Sequence, residues 1–198
     1  MGIRKEILLN LLKEGMSISN KEFDKLTKVH GETIAHVIRC FKIAEEFGKY
    51  LGFKKEDVKL LSICSLYHDI GKFHIEPSIL YKNDRLSEEE FNIIKGHVDY
   101  RYNGSNKAIK DSILYHHERP DNKGYKGKNY KSIHNFSKII AIIDCYDTMV
   151  NRRCYKNNTL NINEVISEIN DNLGKQFDSN YGKLFTLYLK SIIENIAV

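Results

Sequence analysis

Apolar residues recur every three or four positions in segment after segment of this chain, and few breakers interrupt them. Two prolines and twelve glycines punctuate 198 residues, which favours long helices over a many-stranded β fold. Ile3, Ile7, Leu8, Leu11 and Leu12 mark a short amphipathic helix over residues 3–13. Ser19 with Glu22 three residues on reads as a capping box for a short element through Phe23 and Leu26. Ile34, Val37, Ile38, Phe41, Ala44 and Phe47 place a helix over 31–51, ending near Gly52. Asp57 opens another through Val58, Leu61, Cys64 and His68, which stops near Gly71. Ser87 with Glu90 forms a second capping box, ahead of Phe91, Ile94 and Val98. Residues 107–118 read as helix on Ile109, Ile113 and Leu114, and 119–132 as a long, exposed, lysine-rich loop. The run from Lys138 to Val150 is ambiguous. Its isoleucines favour a strand locally, yet its length equally suits a buried helix. Asn161 or Asn163 caps a helix through Val165, Ile166, Ile169 and Leu173, and Asp178 or Ser179 caps the last one. The expected fold is all-α, a bundle of about eight helices.

The length suits one domain, here residues 30–198 with a short helical N-terminal extension over 1–29. The formal charge of +5 is mild, and no dense Lys/Arg run is present, so large nucleic acid is not the expected partner. A phosphate-bearing small molecule remains compatible with it. Cys40, Cys64, Cys145 and Cys154 form no CxxC pair and sit in or beside apolar stretches, as expected of reduced thiols in a cytoplasmic protein. The first fifteen residues are too short and too charged for a signal peptide or a membrane span, so no membrane association is expected.

Histidines and carboxylates gather in five places: Glu32 with His36, His68 with Asp69, His97, His116 with His117, and Asp144. Glu32 and His36 are four apart and project from one helix face. Imidazole and carboxylate together suit divalent Fe, Mn or Zn, and a carboxylate such as Asp69 can bridge two ions. Lys72 follows Asp69 by three residues, so one helical turn aims it at the same place. Alternatively, it is a cation complementing a helix C-terminus. Each piece alone is weak, because an HD dipeptide or a lone histidine is common.

The ordered set resembles the HD superfamily of phosphohydrolases and, within it, the HD-GYP family. GETIAHVIRCFKIAEEFGKYLGF resembles that family's opening helix, LYHDIGKFHIEPSILYKNDRLSEEEFNIIKGH its HDIGK motif and downstream histidine, LYHHERPDNKGYKGKNY its HHE…GYP segment, and KIIAIIDCYDTMVNRRCYK its closing Asp helix and basic turn. The resemblance covers roughly residues 30–180. It implies an HD-domain helical bundle with two or three divalent metal ions, Fe or Mn first. The ligands would be Glu32, His36, His68, Asp69, His97, His116, His117 and Asp144. Glu32 matches the position that accompanies a third metal. Asp69 and Lys72 match catalytic positions, and Lys72 also a phosphate contact. Arg153 and Lys156 match basic residues that hold the other phosphates, Asp147 a supporting aspartate, and Tyr125 a ring that can stack on a base. The implied substrate is a cyclic dinucleotide, cyclic di-GMP first. Another nucleotide substrate, or a non-catalytic binding module, is the alternative. Family members often carry a sensory domain, for which residues 1–29 are too short. A standalone enzyme, or one regulated by a partner in trans, is therefore the expected setting, and exposed helical faces are compatible with a homodimer.

Three positions depart from the family pattern. Lys126 stands where the GYP proline is expected, Ile133-His134 where an Ile-Pro turn is, and Lys138 where an arginine is. Proline fixes φ, so losing two of them predicts a freer loop over 119–135. Lys123, Lys126, Lys128 and Lys131 are either charge for a phosphate ligand or an ordinary solvated loop. His30, His74 and His134 fall outside the pattern and are expected at the surface or in turns.

Overall fold

The computed structural model describes residues 5–151 and 160–196. Arg153 and Lys156, expected to bind phosphates, lie outside the described residues, as does Cys154. The described chain is all-helical: α1 Lys5–Met16, α2 Asn20–Val29, α3 Gly31–Tyr50, α4 Lys55–Tyr67, α5 Pro77–Leu80, α6 Glu88–Lys95, α7 Lys107–Tyr115, α8 Asn135–Val150, α9 Ile162–Asp171 and α10 Ser179–Ile196. Three 3-10 turns punctuate it, Ile70–His74, Gly96–Asp99 and Tyr130–Ser132. Among the described residues, no helix is long and apolar enough to cross a membrane.

Local chemistry sets most boundaries. Both Ser capping boxes form, with Ser19 and Ser87 accepting from the Glu22 and Glu90 amides. Asn161 caps α9 with a box of its own. Asp178 caps α10, accepting from the Asn180 and Tyr181 amides. α3 and α4 pack along each other as the principal pair, turned by Gly52 at φ +71°.

The ambiguous isoleucine run is the central helix α8. Ile139, Ile140, Ile142 and Ile143 are all fully buried, because α8 touches α3, α4, α7, α9 and α10. A helix surrounded on so many sides is apolar almost all round and loses its amphipathic signature. Leu8, Leu12 and Met16 of α1 and Phe23 of α2 are buried in the same cluster as α3 and α4. Each buried leucine there stabilises by roughly 1.5–3 kcal/mol. His30 also departs from expectation. It is buried at the α2–α3 junction, with Nδ1 3.1 Å from the Tyr81 hydroxyl and its ring edge-on to Phe73. His74 is exposed, and His134 caps α8, its Nδ1 accepting from the Phe136 amide.

The 3-10 turn after Asp69 packs directly on the turn carrying His97. A Cβ at Gly71 would fall 2.0 Å from the His97 carbonyl oxygen. Gly71→Ala must therefore push these two turns apart. Thermal unfolding should show a loss of about 1–3 kcal/mol, typical of overpacking. A variant as stable as the parent would contradict that close approach.

Candidate metal centre

Five helices deliver the site. His36 projects from α3, His68 and Asp69 follow α4, His97 follows α6, His116 and His117 follow α7, and Asp144 projects from α8. Three of the imidazoles are held in one repeated way. His68 Nδ1 donates to Ser65 O (2.7 Å), His97 Nδ1 to Ile94 O (2.6 Å) and His116 Nδ1 to Ile113 O (3.1 Å) and Ser112 O (2.8 Å). Each ring thus serves carbonyls in the last turn of the helix it follows, where the regular hydrogen-bond ladder runs out. That bond places the proton on Nδ1 and turns the Nε2 lone pair outward to the centre. His36 is oriented differently. Its Nδ1 donates to Asp147 (2.7 Å), which Arg39 grips through Nε (2.6 Å) and Nη2 (2.8 Å).

The lone pairs converge on Asp69, which is fully buried. Its Oδ2 lies 3.4 Å from His36 Nε2 and 3.3 Å from His68 Nε2. Its Oδ1 lies 3.2 Å from His97 Nε2 and 3.7 Å from His116 Nε2. Asp144 Oδ1 closes the first set at 3.1 Å from His36 Nε2. His117 completes the second with Asp69, His97 and His116. Two donor groups, each within the reach of one cation, therefore share one carboxylate.

The arrangement fits divalent cations on its own evidence. His97 Nε2 and His116 Nε2 face each other at 3.3 Å, both with lone pairs if their Nδ1 atoms carry the protons. His68 Nε2 and Asp69 Oδ1 are buried without a hydrogen bond among the described residues. Buried polar atoms in that state are costly unless something else is bound to them. Imidazole and carboxylate donors are what such an ion takes.

Electrostatics agree. Burial holds His97, His116 and His117 below the ordinary histidine range, His117 furthest, which keeps them neutral donors. Burial would raise Asp69, but Lys72 and His68 outweigh it and hold the carboxyl well below its usual range. Burial would likewise raise Asp144, yet His36 holds it well down. His36 differs: burial would lower it, but Cys40, then Asp144, Asp147 and Asp69, raise it well above the ordinary range, so a cation bound at its Nε2 would displace a proton.

The remaining expected residues distribute around a cleft of about 700 Å³. Glu32 lines it from the first turn of α3 but belongs to neither donor group. Lys72 lines it too, with Nζ 2.7 Å from Asp69 Oδ2. Tyr125 lies over His117, ring centroids 4.4 Å apart. Some cleft residues went unnoticed in the sequence. Arg85, Phe91 and Gln176 line it from positions that no motif marks as functional, so nothing local could have singled them out. Glu118, the last residue of HHE, is buried and ties the loop. α7 stops at Tyr115 rather than 118 because His116 turns its side chain back onto the final carbonyls.

The pH response follows from these shifts. His97, His116 and His117 bind protons more weakly in the folded chain than near pH 6.5, where an unfolded histidine titrates. Acid therefore favours the unfolded chain, and stability is lost as pH falls through about 6.5. His36 acts in the opposite sense but is outnumbered. The melting temperature of metal-free protein should drop between about pH 7 and pH 5.5. A flat or rising profile would contradict neutral, buried imidazoles.

Comparison with known proteins agrees with the geometry. Residues 33–149 match the HD domain family. The cyclic di-GMP phosphodiesterase response regulator RpfG of Xanthomonas campestris is 34% identical over 134 residues, 64% of this chain and 35% of that protein. The 3'3'-cGAMP-specific phosphodiesterase 1 of Vibrio cholerae is 33% identical over 141 residues, 68% of this chain and 32% of that protein. The chain thus spans about a third of the length of these curated relatives. Among solved structures, the HDG"Y"P protein Bd1817 from Bdellovibrio bacteriovorus has the same fold, with a TM-score of 0.66 at 14% identity, over 94% of this chain and 70% of that one. With its motifs in order and its two donor groups meeting at Asp69, this chain belongs to the HD domain family, and those motifs resemble the family's HD-GYP branch.

Proposed function

We propose that this chain is a metal-dependent phosphodiesterase that hydrolyses a cyclic dinucleotide, cyclic di-GMP first. The observation that carries the reading is the Asp69 carboxylate, with one oxygen facing each of two imidazole sets at the floor of an open cleft. Relatives named as cyclic di-GMP and 3'3'-cGAMP phosphodiesterases support the substrate class.

Two divalent ions held by His36, His68, Asp69 and Asp144 and by Asp69, His97, His116 and His117 would neutralise a phosphodiester and lower the pKa of a bound water. Fe or Mn suits the mixed nitrogen and oxygen donors. A third ion would draw on Glu32 at the cleft wall. The chain's own residues do the rest. The helix-end carbonyls and Asp147 fix the imidazole tautomers before any ligand arrives. Lys72 places an ammonium beside Asp69, where it can hold a phosphate oxygen. Tyr125 offers a ring to a base from the cleft wall. Arg153 and Lys156 are proposed phosphate contacts on sequence resemblance alone. The same reading puts the protein in the cytoplasm, regulated by a partner in trans or through a homodimer.

The Vibrio relative favours 3'3'-cGAMP as the second candidate. The test is a panel of cyclic di-GMP, 3'3'-cGAMP and mononucleotide phosphates, assayed with Fe- or Mn-loaded protein by chromatography of products. Hydrolysis of a cyclic dinucleotide is expected, falling to background in Asp69→Ala. Turnover of mononucleotides alone, or hydrolysis unchanged in Asp69→Ala, would overturn the reading.

A further inference from the structure

The HHE glutamate has a position that its neighbours do not share. Glu118 directly follows two candidate ligands, yet it joins neither donor group. It is buried at 3% exposure. Both of its oxygens are occupied by backbone. Oε1 accepts from the Lys126 amide at 2.6 Å and Oε2 from the Lys128 amide at 2.7 Å. A buried carboxylate that accepts two amide bonds is a strong, charge-assisted anchor.

The turn is shaped to receive it. A Cβ at Gly124 would lie 2.6 Å from Glu118 Cα and 2.6 Å from its Oε1, so only glycine lets the loop close over the carboxylate. Gly127 sits between the two donor residues at φ +62°, a left-handed turn conformation that glycine adopts without strain. Tyr125, between Gly124 and the first donor, is then laid on His117. Outside the turn, Lys126 Nζ reaches Asp99 Oδ1 at 2.6 Å, two residues beyond His97. The loop is thus tied once to the segment after α7 and once to the turn carrying another candidate ligand.

This reverses the sequence expectation of a freed loop. A proline has no amide hydrogen, so at position 126 it could not make the first bond to Glu118. Lys126 supplies that donor from its backbone and a second tie from its side chain. Rigidity that a ring would have provided comes here from hydrogen bonding.

We infer that Glu118 is a positioning residue: its buried carboxylate clamps the 124–128 turn and so holds Tyr125 against His117 as a wall of the cleft. The consequence for catalysis rests on the phosphodiesterase reading, but the clamp itself does not. Releasing it leaves the donor groups in place and unfastens the wall against which a base would lie. Substrate affinity should suffer more than chemistry.

The chain contains no tryptophan, so Tyr125→Trp places a lone tryptophan, excited selectively over the tyrosines, at the clamped position. In that background, adding Glu118→Gln should red-shift the emission and raise acrylamide quenching, because the amide can accept only one of the two bonds. Gly124→Ala should do the same by crowding the carboxylate while leaving its charge intact. In the unmodified Tyr125 chain, Glu118→Gln should raise KM about tenfold, the scale of one lost charge-assisted hydrogen bond, with kcat changed by less and metal content kept. Unchanged emission and quenching in both the Glu118→Gln and Gly124→Ala variants would overturn the clamp. So would an equal loss of kcat with normal KM. If no cyclic dinucleotide is turned over at all, the fluorescence arm still decides the clamp, and only the function fails.

Discussion

Asp69 has one carboxylate oxygen near His36 and His68 and the other near His97 and His116, with no exposure to water. A buried anion of this kind is costly unless cations or donors meet it. Its four imidazole neighbours come from helices far apart in the chain, so the carboxylate is the point at which α3, α4, α6 and α7 must agree. The close approach of Gly71 to the His97 backbone sets that agreement from one side. The central helix α8 sets it from the other, with Asp144 facing the centre and Asp147 standing behind His36.

A second constraint works with the first. His68, His97 and His116 each sit at or just past a helix C-terminus, and each returns its Nδ1 proton to the carbonyl three residues back. Helix ends leave carbonyls without partners. The same bond that serves a helix-end carbonyl also aims a ring nitrogen at the centre. Helix termination and ligand preparation are one interaction, which explains why the site lies where several helices stop.

The sequence made the periodic and capped elements legible because their causes are local. Ser19 with Glu22, Ser87 with Glu90 and Asn161 with Glu164 all close their boxes. The isoleucine run resisted because a helix packed on most sides carries no face to read, and only its neighbours decide between strand and helix. The donor residues could be named from their order, and seven of the eight meet in the two groups, with Glu32 set apart at the cleft wall. Glu118 was in plain view within HHE, but its role depends on amides eight and ten residues later, a pairing that no spacing rule contains. The buried His30 was misjudged for the same reason, since Tyr81 arrives from a distant segment.

Anomalous diffraction from crystals of Mn-loaded protein addresses the shared carboxylate most directly. Two peaks are expected, one on each side of Asp69 and about 3.5–4 Å apart, the separation typical of paired catalytic ions. A single peak, or two peaks with Asp69 bound to only one of them, would contradict the account.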